Sequence, residues 1–280
     1  MNKRSVLLIR CSDEVGLVHK ITGILFRKNC NIVSTSEFVD RDKNVFFMRT
    51  EFEGADHLAA IEKEVLVELP KNSWIRIGPI KSKKIIVFAT RETHCLGDLL
   101  LRNEYRDLNA EIQAVVSQYR DLESLTKKFG VPFFHAPVPN DGDRMAHEAA
   151  LKKIVEGFDW DFIVLAKYMR ILSESFTKNF ENKIINIHHS FLPAFVGARP
   201  YEQAFQRGVK IIGATAHFVN QNLDEGPIVT QAVIPVDHSY SPVDMAQAGR
   251  DVERGVLSKA LKLIFEDRVI VDSNRSIVFE

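Results

Sequence analysis

From residue 84 to residue 265, short apolar runs alternate with segments of helical spacing. Strands are predicted at 84–89, 111–116, 131–135, 161–166, 183–187, 210–218 and 228–236. Helices are predicted at 96–107, 120–129, 143–157, 173–179, 200–207 and 242–265. Few folds accommodate that alternation. It predicts an open, mostly parallel, doubly wound sheet with helices on both faces. Ligands of such sheets bind beyond the carboxyl ends of the strands, so polar residues at those ends are the first functional candidates.

The first eighty residues follow another pattern. Val6 to Arg10, Asn31 to Asp40, Asn44 to Glu53 and Trp74 to Ile77 read as strands. Val15 to Lys28 and Ala55 to Leu66 have helical spacing. The order βαββαβ predicts a ferredoxin-like module. The expected fold class is therefore α/β, with this small domain at 1–80, a polar linker at 81–84 and the doubly wound domain at 85–280.

Composition narrows the function classes. The chain has 280 residues and zero formal net charge, from 37 basic and 37 acidic side chains. That balance supplies no field for nucleic acid or an anionic membrane, and neither is an expected partner. Cys11, Cys30 and Cys95 are widely scattered, without a disulfide framework or zinc spacing, so a reducing cytoplasm is the expected location. No run approaches membrane-spanning length.

Within the larger domain, Ile184-Ile185 leads into N-I-H-H-S-F-L-P (186–193). Residues two apart on a strand share a face, so Asn186 and His188 point the same way as the strand ends. The apolar run from Val209 to Val219 leads into a turn carrying Asp224 and then Gly226-Pro227. An amide, an imidazole and a carboxylate at neighbouring strand ends can polarise a carbonyl, move a proton and orient water. Acyl or formyl chemistry is expected. His188-His189 lacks a supporting ligand spacing, and no metal site is expected.

A-K-Y-M-R-I-L (166–172), N-I-H-H-S-F-L-P (186–193) and A-H-F-V…L-D-E-G-P-I (216–228) together resemble the folate-dependent formyltransferase family. The resemblance covers nearly everything after residue 84. It implies a catalytic set of Asn186, His188 and Asp224, with His217 as a further active-site histidine. It also implies a pterin slot formed by Met169, Arg170 and Leu172 with Phe218 and Val219. Without the resemblance, His217 reads as a satisfied core histidine and Arg170 as a surface ion-pair residue. His135, His147 and His238 carry no functional assignment.

The family contains transferases that hold a substrate phosphate in a Gly-rich loop after the first strand. Here that strand is followed by T-R-E-T-H-C-L-G-D-L-L, where Gly97 comes too late for a phosphate cradle. T-H-C-L-G-D-L-L, P-F-F-H (132–135), R-P-Y-E-Q-A (199–204) and G-R-D-V-E-R (249–254) resemble the hydrolytic, deformylase branch. The implied reaction is hydrolysis of 10-formyltetrahydrofolate to tetrahydrofolate and formate, with folate as substrate and no prosthetic group. Asn186 would donate to the formyl oxygen. His188, as an imidazolium, would stabilise the oxyanion. Asp224 would hold the water and take its proton, with burial raising its pKa. Alternatives are formyl transfer to a small amine and a non-catalytic folate-sensing protein. His94-Cys95 reads as a helix start with an incidental thiol. Arg250, Asp251, Glu253 and Arg254 read as ordinary charge pairs along an amphipathic helix.

The N-terminal C-S-D-E-V-G-L-V-H-K-I (11–21) resembles the ACT family of amino-acid-binding regulatory modules. That resemblance implies an effector site at Asp13, Val15, Gly16 and Leu17, with an amino acid as candidate effector. It also implies a homo-oligomer, dimer or tetramer. The plainer alternative is that Asp13 caps the first helix.

Overall fold

The structure, a computed structural model, describes residues 4–54, 57–139, 142–194 and 200–280. Ala55, where the second helix was predicted to start, and Arg199 of the R-P-Y-E-Q-A string lie outside the described residues. The chain divides into two units: 1–81 with 266–270 and 277–280, and 82–265 with 271–276.

The first unit runs β1 (Arg4–Ser12), α1 (Leu17–Arg27), β2 (Asn31–Asp40), β3 (Val45–Glu53), α2 (Leu58–Glu68) and β4 (Trp74–Pro79). Its sheet has the order β2-β3-β1-β4, antiparallel throughout, which is the ferredoxin-like arrangement. Leu7 and Ile9 of β1 join Ile21, Ile24 and Leu25 of α1 and Ile61 of α2 in one core. Val6 and Leu8 point the opposite way, yet they are also buried, against Phe47, Ile270, Ile277 and Phe279. Both faces of β1 are covered, which is why it reads as a continuous apolar run. The residues covering the second face come from the C-terminal end. There β12 (Val269–Asp272) and β13 (Arg275–Val278) form a hairpin that the sequence reading did not anticipate.

The second unit runs β5 (Lys83–Ala89), α3 (Thr93–Glu104), β6 (Ala110–Ser117), α4 (Glu123–Lys128), β7 (Phe133–His135), α5 (Arg144–Val155) and β8 (Phe162–Ala166). It continues with α6 (Glu174–Asn179), β9 (Ile184–His188), α7 (Pro200–Arg207), β10 (Ile211–Phe218), β11 (Ile228–Pro235) and α8 (Pro242–Phe265). The sheet order is β11-β10-β9-β8-β5-β6-β7. Neighbours from β9 to β7 are parallel, whereas β10 and β11 run antiparallel. The central strands are buried on both faces: Ile86, Phe88, Ile163 and Leu165 pack with Leu151 and Val155 of α5. Side chains cap several helix starts: Asp143 accepts from Ala146 N at 3.0 Å, Ser173 from Phe176 N at 3.1 Å and Ser241 from Asp244 N at 3.2 Å.

Chain order and sheet order reverse at one place. From β5 the chain moves outward through β6 to β7, then returns to the other side of β5 for β8 and β9. The crevice beyond the carboxyl ends of β5 and β8 is therefore a topological switch point.

Candidate active site

The strand pairing that puts Asn186 and His217 face to face is antiparallel: β9 and β10 align Asn186 with His217 and His188 with Thr215. His217 Nδ1 lies 2.9 Å from the Phe218 carbonyl oxygen, which can only accept, so Nδ1 carries the proton. Burial, the largest effect, lowers the His217 pKa and favours the neutral ring. Nε2 then accepts from the Asn186 side-chain Nδ2 at 3.2 Å. One N–H of the Asn186 amide is spent on that bond. The other remains for a ligand.

Asp224 reaches this strand end from the loop between β10 and β11. Gly226 makes the approach possible: a Cβ there would lie 1.8 Å from the Phe218 carbonyl oxygen. The loop closes through Phe218 N to Pro227 O at 2.9 Å. Asn274 holds its outer side, donating from Nδ2 to Glu225 O at 2.8 Å. Asp224 Oδ2 lies 3.3 Å from His188 Nδ1, and Oδ1 lies 3.8 Å from His217 Nε2. The other ring nitrogen of His188, Nε2, is buried and has no hydrogen-bond partner among the described residues. A buried, unpaired polar atom is costly, and here it sits within a group of chemically capable side chains.

Desolvation of Asp224 raises its pKa, as the sequence reading expected. The hydrogen bond to His188, together with the charges of His188, His217 and His189, outweighs it and leaves the carboxyl below its ordinary range. The expectation of a raised value is corrected on that ground. The three imidazoles come from β9, the residue after it and β10, so local sequence around Asp224 could not reveal the balance.

The residues after β9 are fixed by Thr215, whose hydroxyl donates to Ser190 O at 2.9 Å and accepts from Leu192 N at 3.0 Å. His189 stacks on His188 with ring centroids 4.9 Å apart. Burial, followed by Lys167 and His188, lowers the His189 pKa to about 4.

The implied pterin-slot residues divide by exposure. Met169 is 58 % exposed, whereas Phe218 is buried and Leu172 and Val219 are partly buried against the core. The 167–173 segment is tied down along its length: Lys167 O accepts from Thr90, Tyr168 OH lies 3.0 Å from His147 Nε2, and buried Glu148 accepts from Ser173 N at 2.6 Å. Arg170, on its plainer reading a surface ion-pair residue, donates from Nε to the Gln118 side-chain oxygen at 2.8 Å. His135 Nε2 meets Gln118 O at 3.1 Å.

A second polar cluster was missed. Glu253, read from sequence as one of several solvated helix charges, is 0 % exposed. Its carboxylate lies 2.7 Å from His94 Nε2, accepts from Tyr201 OH at 2.7 Å and lies 3.3 Å from Lys167 Nζ. Desolvation opposes ionisation, but His94, Lys167 and Tyr201 together bring the Glu253 pKa down to about 2. Of its helix neighbours, Arg254 pairs with Asp251 at 2.8 Å on the surface, whereas Arg250 lies 3.5 Å from Glu92, outside the helix. Among the described residues, His94, Cys95 and Glu253 also form the one group with metal-ligand atoms within 4.8 Å. Burial pushes the Cys95 thiol up, and Lys167 already supplies a positive charge to the carboxylate. That donor set does not suit a cation.

In the first unit, the implied effector residues lie where β1 meets α1. Gly16, not Asp13, occupies the helix N-cap, with φ of 90° and no side-chain cap. Asp13 N instead donates to Asn44 O at 2.9 Å. Val15 is 99 % exposed and Leu17 is buried in the core, so Leu17 offers a ligand only its backbone.

A mostly parallel α/β sheet with an amide, two imidazoles and a carboxylate at its strand ends has the groups that formyl-transfer chemistry calls for. The description "Formyl transferase" matches residues 83–261, and "ACT domain" matches residues 5–68. The chain is 48 % identical to formyltetrahydrofolate deformylase of Escherichia coli K12, over 99 % of this chain and 98 % of that one. It is 46 % identical to the Haemophilus influenzae protein of the same name, over 99 % and 100 %. A crystal structure of a formyltetrahydrofolate deformylase from Pseudomonas syringae superposes with a TM-score of 0.95 at 38 % identity, covering 100 % of this chain and 95 % of that one. Glycinamide ribonucleotide transformylase 1 from Symbiobacterium toebii matches at a TM-score of 0.66 and 30 % identity, over 71 % of this chain and 94 % of that one. The chain belongs to the formyltetrahydrofolate deformylase family.

Proposed function

We propose that this chain hydrolyses 10-formyltetrahydrofolate to tetrahydrofolate and formate. The observation that carries the reading is the unpaired, buried Nε2 of His188 beside Asp224 and the half-satisfied amide of Asn186. A formyl oxygen placed there receives the second N–H of Asn186 and an N–H from His188. Doubly protonated His188 donates from Nδ1 to Asp224 and from Nε2 to the oxyanion. His217 acts through Asn186, because its Nε2 fixes which way the amide points.

Water attacks the formyl carbon, and the carbonyl electrons move onto the oxygen. A carboxylate held below its ordinary range is a weak base toward free water. The attacking water becomes far more acidic as its bond to carbon forms, so Asp224 accepts the proton late in the step. The tetrahedral intermediate then collapses, the bond to the folate nitrogen breaks, and that nitrogen takes the proton. The pterin occupies the lip formed by Met169, Arg170 and Leu172 with Phe218 and Val219. Free tetrahydrofolate and formate would serve one-carbon and purine metabolism.

The N-terminal unit is read as an ACT sensor for an amino acid at Asp13, Val15, Gly16 and the Leu17 backbone, within a homo-oligomer. Among the described residues Cys11, Cys30 and Cys95 form no disulfide, which supports a cytoplasmic location. Among the described residues no helix is long and apolar enough to cross a membrane. The test is to supply 10-formyltetrahydrofolate without any acceptor. Equimolar formate and tetrahydrofolate are expected; an enzyme that produces formate only when an amine is added would be a transferase.

A further inference from the structure

Three segments that resemble the hydrolytic branch, and one that resembles the wider formyltransferase family, each send a side chain to one place. His94 comes from T-H-C-L-G-D-L-L, Lys167 from A-K-Y-M-R-I-L, Tyr201 from R-P-Y-E-Q-A and Glu253 from G-R-D-V-E-R. All three partners converge on the fully buried Glu253 carboxylate. The glycine that begins the last string is part of the same arrangement. A Cβ at Gly249 would lie 2.0 Å from the Tyr201 hydroxyl oxygen, so only glycine lets Tyr201 lie across α8 and reach Glu253.

The position of this cluster matters more than its stability. Lys167 directly follows β8, and Glu92 and His94 follow β5. Thr90 at the end of β5 donates to Lys167 O at 2.6 Å, so the two strand ends are joined. The cluster therefore stands in the crevice at the switch point, where sheets of this type ordinarily seat a ligand. It also adjoins the catalytic set: His189 stacks on His188 at 4.9 Å and faces the Tyr201 ring at 6.3 Å.

We propose that the Lys167–Glu253 cluster, closed by His94 and Tyr201, is a specificity device that fills the seat a second, amine substrate would need and leaves water as the nucleophile. This rests on the hydrolytic reading above. A seat filled by the protein's own paired charges cannot be vacated cheaply, because each partner would be left buried and unpaired. Water needs only the gap beside Asp224. If the seat were open, a neutral primary amine could attack the formyl carbon instead. The new carbon–nitrogen bond would form, the bond to the folate nitrogen would break, and the amine proton would pass to that nitrogen, giving a formamide and tetrahydrofolate.

The test compares two neutral double variants in the full chain. Lys167→Ala with Glu253→Ala removes both charges and opens the space. Lys167→Met with Glu253→Gln removes the charges and keeps the volume. Each is given 10-formyltetrahydrofolate with millimolar glycinamide, and the ratio of formylated glycinamide to formate is measured. Only folded molecules contribute to that ratio, so partial unfolding does not distort it. Tyr201→Ala opens the same space with the ion pair left in place and serves if the double variant does not fold. The parent and the volume-keeping variant are expected to share one low ratio, and the opened variants to exceed it at least about tenfold, the scale of discrimination by pocket filling. Opened variants that release formate at the parent ratio would overturn the inference and leave the hydrolytic reading standing. Equal ratios for both double variants would overturn it too. A parent that releases no formate would sink the hydrolytic reading itself.

Discussion

His188 Nδ1 lies 3.3 Å from Asp224 Oδ2, and the opposite ring nitrogen has no hydrogen-bond partner among the described residues. The carboxylate fixes the ring, and the ring keeps the carboxylate ionised. One residue comes from the end of a parallel strand and the other from a loop closed on Gly226, so the pair exists only in the folded sheet.

Asp224→Asn keeps the shape and removes the proposed proton acceptor. Turnover is expected to fall at least about a hundredfold, the usual scale for losing a general base, while folate binding persists. Steady-state kinetics with a parallel folate titration checks both. Activity within a few-fold of the parent would mean that Asp224 only shapes its loop.

Asn186→Ala removes a proposed donor to the oxyanion. A loss of about a hundredfold to a thousandfold in kcat is expected, with KM little changed. His217→Phe should reproduce part of that loss, because the Asn186 amide then loses the acceptor that orients it. A raised KM with unchanged kcat in either variant would assign these residues to binding alone.

His189 gives a pH signature. Burial and the neighbouring Lys167 and His188 hold its pKa at about 4, against an ordinary 6.5. The unfolded chain binds more protons between those values, so stability is present above pH 6.5 and is lost as pH falls toward 4. Urea midpoints measured across that window should fall, and His189→Asn should flatten the decline. An equally steep decline in the variant would place the titrating group elsewhere.

Deleting residues 1–82 should leave a catalytic unit that folds and still binds folate, without any amino-acid response. The shortened chain retains Ile270, Ile277 and Phe279 but lacks Val6, Leu8 and Phe47, against which they pack. Self-association is therefore expected, relieved by also ending the chain after Phe265. Light scattering of the two truncations distinguishes them; equal association would mean that this apolar group is not the cause.

The sheet was legible because its central strands are buried on both faces and separated by helices of clear periodicity. Helix α8, predicted at 242–265, has those bounds. Asn186, His188, His217 and Asp224 come together because strand ends and a Gly-Pro turn leave a mark in sequence. The β12–β13 hairpin left none, since each strand has four residues and too little alternation to register. Glu253 was hidden by its own helix, where Arg250, Asp251 and Arg254 suggest a solvated face. Its burial is set by Lys167, His94 and Tyr201, which are remote in sequence. The lowered pKa of Asp224 was missed for the same reason, because three histidines outside its loop decide it.

The most direct measurement is a single turnover of enzyme-bound 10-formyltetrahydrofolate in heavy-oxygen water, with no amine present. If Asp224 acts as a base toward water held beside Asn186 and His188, every formate released carries one heavy oxygen, and the label appears as fast as tetrahydrofolate forms. Unlabelled formate from the first turnover would instead mean that the Asp224 carboxylate attacks the formyl carbon itself, and the absence of formate would mean that water is not the acceptor.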